Sequence, residues 1–110
     1  MTPLALLLTL FGALEIDGDT LKLDGQRYRL FGIDAPERGE AGARAATEAL
    51  AGLIRGRALS CTVIDVDRYQ RPVVQCLLPD GRDLGCAMVA TGTAKDFPKY
   101  SGGLYAVCGK

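Results

Sequence analysis

One hundred and ten residues make one small domain, short enough that folding hides only about two-thirds of the unfolded surface. Thirteen basic and thirteen acidic residues cancel. That excludes a polyanion binder driven by overall charge, so any contact with nucleic acid must come from a local cluster. Histidine is absent, which removes Ser-His-Asp and Cys-His catalytic pairs, a histidine general base and His-containing zinc sites.

Residues Pro3 to Leu14 read PLALLLTLFGAL, a run of signal-peptide length that is too short to span a bilayer. No Lys or Arg precedes it, and Ala13 is the only small residue near a cleavage point. Residues 1–14 are therefore either a signal-like leader or, from Thr9 to Ile16, a buried first strand. Thr20 to Asp24 alternates apolar and polar residues and ends in the hairpin signal Asp24-Gly25, so Gln26 to Asp34 is its partner strand. Glu40 to Ile54 reads as a helix, with Ala46, Leu50, Leu53 and Ile54 on one face. Gly39 and Gly42 frame its start and Gly56 its stop. Two apolar runs, Leu59 to Val66 and Pro72 to Leu78, flank the polar turn Asp67-Arg68-Tyr69-Gln70-Arg71. After the turn Pro79-Asp80-Gly81, Asp83 can cap a second helix from about Leu84 to Thr91, ended by Gly92. Phe97 to Gly103 reads as a loop, and Leu104 to Cys108 as one aborted helical turn. Three strands, a helix, two strands and a short helix is the order of a mainly β, five-stranded OB-fold barrel, with a helix after the third strand plugging one end.

The cysteines are Cys61, Cys76, Cys86 and Cys108, and no pair has the two-residue gap of a zinc knuckle. An antiparallel hairpin centred on Arg68 and Tyr69 places Cys61 opposite Cys76 and Val63 opposite Val74. Opposed Cβ atoms lie about 4.5–5.5 Å apart, within small adjustment of disulfide spacing. A Cys61–Cys76 bridge is the expectation, with two buried thiols as the alternative and Cys86–Cys108 as a weaker candidate pair. An even cysteine count in a small domain favours an oxidising compartment, so the expected location is secreted or periplasmic.

Asp19, Arg29, Asp34 and Glu37 sit at the ends of apolar alternating stretches, where strands would deliver them to one rim. Three acids beside a planar cation suit an oxygen-ligated divalent ion next to a phosphate clamp. Taken singly, each has a plainer reading: Asp-Gly-Asp is a turn former, Asp34 to Glu37 a loop entering a helix, each arginine a surface charge. The combination is what carries phosphodiester chemistry.

Asp17-Gly18-Asp19-Thr20, Arg29 through Glu37, Asp67-Arg68-Tyr69-Gln70-Arg71, and Gly81-Arg82-Asp83-Leu84 leading into Met88-Val89-Ala90-Thr91-Gly92 resemble the staphylococcal nuclease (thermonuclease) family. The similarity runs from about Ile16 to Tyr100. The paired Cys61 and Cys76 look most like a secreted bacterial branch, some members of which carry exopolysaccharide (succinoglycan) biosynthesis labels. The resemblance implies a Ca²⁺ site on Asp19, Asp34 and the Ala35 carbonyl, with Glu37 handling the attacking water. It also places Arg29 and Arg71 on the scissile phosphate, Tyr69 beside the nucleotide phosphate and Arg68 at a position usually basic. The implied activity is Ca²⁺-dependent hydrolysis of single- or double-stranded DNA or RNA with low sequence specificity. The alternative is a catalytically weak binding module on the same barrel, linked to exopolysaccharide. Family members usually continue into a further helix on the barrel, so residues 9–110 are expected to form a single domain with that helix cut short. Oligomeric state stays open.

Overall fold

A computed structural model describes residues 6–109; Pro3 to Ala5 of the apolar run lie outside the described residues. The strands are β1 (Leu6–Leu10), β2 (Leu14–Asp17), β3 (Thr20–Leu23), β4 (Gln26–Leu30), β5 (Ile33–Asp34), β6 (Leu59–Val66), β7 (Pro72–Leu77) and β8 (Lys95–Asp96). Helix α1 (Ala43–Ile54) follows β5, α2 (Leu84–Ala90) follows β7, and α3 (Pro98–Ser101) and a 3₁₀ turn (Ala106–Gly109) follow β8. Six strands form one sheet in the order β1-β6-β7-β4-β3-β2, and β5 pairs with β8. All ladders are antiparallel except β4 with β7, where Arg29 pairs with Val73.

The single first strand expected over Thr9 to Ile16 divides in two. Leu10 and Ala13 are both buried, which no continuous alternation allows, and Gly12 at φ 80° turns the chain between them. β1 and β2 are the opposite ends of the sheet order, yet three residues join them. The sheet therefore rolls until its two edges meet at this bend, which is the closure a small barrel needs.

The strand expected over Gln26 to Asp34 also breaks, at Phe31-Gly32, where Gly32 takes φ 75°. β5 then leaves the main sheet to pair Ile33 with Asp96 and Asp34 with Lys95. The first helix begins at Ala43 rather than Glu40, because Gly42 at φ 85° cannot continue a right-handed helix. The expected loop from Phe97 to Gly103 contains the single turn α3, opened by Pro98, whose fixed φ suits a first helical position. Two further expectations match. Asp83 caps α2 by accepting from Cys86 N–H, and the Asp24-Gly25 turn has both residues at positive φ.

Leu21, Leu30, Ile33, Leu50, Leu59, Val74, Leu84 and Met88 form the centre of the core. α1 packs against β2 and α2, so it closes one end of the barrel as expected. Gly18 makes that approach possible: a Cβ there would lie 2.6 Å from Ala46 Cβ and 2.7 Å from Ala35 Cβ.

Cys61 pairs with Cys76 across β6 and β7, with Val63 opposite Val74, and the two cysteines are bonded. Cys86 and Cys108 form the second disulfide, joining α2 to the 3₁₀ turn.

Candidate active site

The tight turn Gly18-Asp19 joins β2 to β3, with an irregularity in the ladder between Glu15 and Asp17. Asp17 Oδ1 accepts from Asp19 N–H at 3.1 Å, which sets the turn. Asp19 carbonyl accepts from Leu30 N–H at 2.9 Å, tying the turn to β4. The Asp19 side chain consequently faces inward, and the residue is 7% exposed.

Around that carboxylate three motifs meet. Oδ2 accepts from Ala35 N–H at 2.9 Å and lies 3.4 Å from Arg29 Nη1. Oδ1 accepts from Thr20 O–H at 3.3 Å. Thr20 Oγ1 in turn accepts from Arg71 Nη1 at 3.5 Å. Burial pushes the Asp19 carboxyl up to about 6; Arg29 pulls it down and neighbouring Asp17 raises it further.

Arg29 is held by backbone as well as by charge. Its Nη1 donates to Leu30 O at 2.9 Å and its Nη2 to Ile33 O at 2.8 Å. The guanidinium thus bridges the Phe31-Gly32 break and fixes its own orientation. Arg71 is held inside its own hairpin. Asp67 Oδ2 accepts from Arg71 Nε at 2.7 Å, and Asp67 Oδ1 accepts from Arg71 N–H and Tyr69 N–H at 2.9 Å each. Burial raises the Asp67 carboxyl, but the Arg71 and Tyr69 donors outweigh it and hold the group below its ordinary value.

A cleft of about 760 Å³ opens beside this network. Arg29, Asp34, Glu37, Arg68, Tyr69 and Arg71 all line it. Asp34 and Glu37 are exposed, and Tyr69 is 64% exposed with Arg68 at 5.0 Å and Arg71 at 5.4 Å from its ring centre. Phe97, Lys99 and Tyr100 add to the wall from the segment after β8. Asp19 and the buried Ala35 sit behind it, reached through Arg29. Of the residues singled out in the sequence, six are in the cleft wall and two directly behind it.

Thr20 and Asp67 were within the motifs but had no assigned role; the structure makes one the link between Asp19 and Arg71 and the other the anchor of Arg71. The available signal was position, since each lies inside a motif beside a singled-out residue. The wall residues Phe97 and Tyr100 gave no such signal.

The groups here that could hold a cation, as the family resemblance implies, are all oxygens: the carboxylates of Asp19 and Asp34 and the carbonyl of Ala35. The four cysteines are in disulfides and histidine is absent. Among the described residues, no three Asp, Glu, His or Cys side chains form a metal cage of their own. This donor set fits a hard ion whose shell is completed by water and substrate oxygens, not one enclosed by protein.

Residues 27–103, more than half of the chain, match the family described as Staphylococcal nuclease homologue. An uncharacterized endonuclease of Escherichia coli O157:H7 is 34% identical over 90 residues, covering 78% of this chain and 59% of its own length. The succinoglycan biosynthesis protein ExoI of Rhizobium meliloti (strain 1021) is 33% identical over 102 residues, covering 83% and 53% respectively. Protein ParB of Escherichia coli is 37% identical over 91 residues, covering 72% and 51%. The chain therefore spans from about half to three-fifths of these curated relatives. With three motifs converging on one cleft of a rolled β sheet, the match establishes that this chain belongs to the staphylococcal nuclease homologue family.

Proposed function

We propose that the chain hydrolyses phosphodiester bonds of DNA or RNA, with Ca²⁺ as cofactor and little sequence preference. The observation that carries the reading is the convergence of Arg29 and Arg71 on one cleft that also holds Asp34 and Glu37. The family, and the endonuclease name of a relative at 34% identity, support it.

Hydrolysis adds negative charge to a five-coordinate phosphorus, and the site must neutralise that charge where it forms. Arg29 and Arg71 enter the reaction already oriented, one by Leu30 and Ile33 carbonyls and the other by Asp67. Their remaining N–H groups face the phosphate oxygens without a reorganisation step. Glu37 accepts the proton of the attacking water, or aligns that water for in-line attack; the water oxygen bonds to phosphorus as the leaving alkoxide departs. Arg68 and Tyr69 flank the nucleotide phosphate. Asp19, Asp34 and the Ala35 carbonyl would hold the cation, which when bound supplies Lewis-acid polarisation of a phosphate oxygen.

The two disulfides support residence in an oxidising compartment, outside the cell or in the periplasm. No helix among the described residues is long and apolar enough to cross a membrane.

Similarity to a succinoglycan biosynthesis protein favours a second reading, a binding module for envelope polysaccharide with weak or no catalysis. Single-stranded DNA incubated with purified protein and Ca²⁺ separates the two. The nuclease reading expects cleavage that Arg29→Ala, Glu37→Ala or Arg71→Ala each lowers by about 10²–10³. Intact DNA at every protein concentration, together with retention on an acidic exopolysaccharide, selects the module.

A further inference from the structure

The segment Gly102–Gly109 packs behind the cleft. It contributes no group to the proposed chemistry, yet it braces the backbone between two residues that do. Tyr105 is 2% exposed, and its ring fills the space beside two glycines. A Cβ on Gly32 would lie 2.8 Å from Tyr105 Cε2, and one on Gly85 would lie 3.0 Å from it. Gly32 is the break between Arg29 and Asp34, so the ring sets the geometry of that turn. Tyr105 O–H donates to Asp83 Oδ2 at 2.9 Å. Burial, and then Asp83, raise the phenol far above its ordinary value, so it remains a donor.

The backbone of the same segment reaches the cleft strand through Asp96. Asp96 Oδ1 accepts from Tyr105 N–H at 3.2 Å and also from Ser101 O–H. Asp96 pairs with Ile33 and Lys95 with Asp34, while Phe97 N–H donates to Gly32 O at 2.8 Å. The Arg29–Asp34 turn is thus gripped from one side by a strand that Tyr105 and Ser101 hold in place.

Little local structure holds Gly102–Gly109 itself. Gly102 N–H closes α3 by donating to Pro98 O at 2.9 Å; beyond it the turn bonds within the segment are i to i+3 contacts of 3.1–3.3 Å, and Leu104 and Val107 are 52% and 69% exposed. A 3₁₀ turn of four residues has almost no stability alone. Its covalent anchor is the Cys86–Cys108 disulfide. The two disulfides differ in access: Cys61 and Cys76 are 2% and 1% exposed, whereas Cys86 and Cys108 are both partly exposed.

We propose that Cys86–Cys108 is a thiol-responsive latch on the cleft, and that Tyr105 is the positioning residue it secures against the Gly32 turn. A dithiol thiolate attacks one Sγ, breaks the S–S bond and releases the other cysteine as a thiolate, which takes up a proton. The second thiol of the reductant then displaces the first cysteine. Both cysteines end as thiols, and the reductant, having given two electrons, ends as its own disulfide. The released segment frays, Gly32 loses the ring beside it, and Asp96 loses the Tyr105 N–H.

Only the activity arm of the test rests on the nuclease reading. Oxidised protein is titrated with dithiothreitol while free thiols are mapped by alkylation and mass spectrometry. Hydrogen exchange of the Phe97 amide and Ca²⁺-supported cleavage of single-stranded DNA are followed together. Cys86 and Cys108 are expected to alkylate first, with Cys61 and Cys76 still protected. At that stage Phe97 exchange rises at least tenfold and cleavage falls at least tenfold, and reoxidation reverses both. In the oxidised protein, Tyr105→Ala reproduces both changes and Tyr105→Phe, which keeps the ring, restores most of the loss. Opening of Cys86–Cys108 with Phe97 exchange unchanged overturns the latch, as does prior reduction of Cys61–Cys76. A protein that cuts nothing in either redox state fails the nuclease reading alone, since the exchange arm still decides the latch.

Discussion

Asp19 and Asp67 do the same job in different surroundings. Each holds one of the two cleft arginines, yet their carboxyls move in opposite directions. Asp19 is almost sealed from solvent, has Arg29 at 3.4 Å and has Asp17 as an acidic neighbour. Asp67 takes three N–H donors at 2.7–2.9 Å at the cleft edge. An arginine partner alone therefore does not decide whether a carboxylate is comfortable when charged; solvation and the number of good donors do. Asp19 is a charged form kept at a cost that a bound cation would offset, whereas Asp67 is a scaffold that needs no ion.

The largest effect that sharpens this contrast is on catalysis. Arg29→Ala and Arg71→Ala are each expected to lower DNA cleavage by about 10²–10³, because both arginines line one cleft and the proposed chemistry sets both on the same phosphate. Steady-state rates at saturating Ca²⁺ check this; a loss confined to one arginine would break the symmetry.

Stability comes next, and there the two acids part. Asp67→Asn should cost about 1–3 kcal/mol, since charge-assisted bonds to Arg71 are lost. Asp19→Asn, without cation, should leave stability unchanged or raise it near neutral pH. Urea unfolding of both variants in chelator measures the pair.

The pH dependence follows with opposite signs. The folded Asp19 value, about 6, lies above its ordinary 3.8, so the folded protein binds this proton more tightly. Charging Asp19 therefore weakens folding as pH rises from 3.8 through 6, by roughly 3 kcal/mol at most. The gap between Asp19→Asn and the parent should open across that window and close below it. Asp67, held below its ordinary value, stabilises the fold above 3.8, and that stabilisation fades as pH falls through its folded value. Melting temperatures between pH 3 and pH 8 read both curves.

The smallest expected effect is on the link between the two. Thr20→Val keeps the shape and removes the hydroxyl between Asp19 and Arg71, at a cost of about 1 kcal/mol. Additive behaviour of Thr20→Val with Arg71→Ala in cleavage would show that the link is idle.

Features set by short-range rules were legible in the sequence. The period of two along a strand placed Cys61 against Cys76, and Asp24-Gly25 and the Asp83 cap act through neighbours one to three residues away. The break at Gly12 was not legible, because Leu6 to Leu14 is apolar apart from Thr9, and a single polar residue before the bend does not mark a change of face. Gly32 hid for a different reason: its turn is held by Arg29, which bonds carbonyls on both sides of it, and by the distant Tyr105 ring. Six of the singled-out residues share a cleft because β4, β5 with the loop after it, and the β6–β7 turn bring them to one rim. The brace formed by Tyr105, Gly32 and Asp96 joins residues more than sixty apart in the chain, and no local pattern announces it.

The most direct test is a calcium titration of single-stranded DNA cleavage by the parent protein, run at pH 8 and pH 5 with a chelator control. The account predicts cleavage that chelator abolishes, and a calcium requirement that rises at pH 5 as Asp19 takes up its proton. Cleavage that persists in chelator, or DNA left intact at every calcium level, would contradict it.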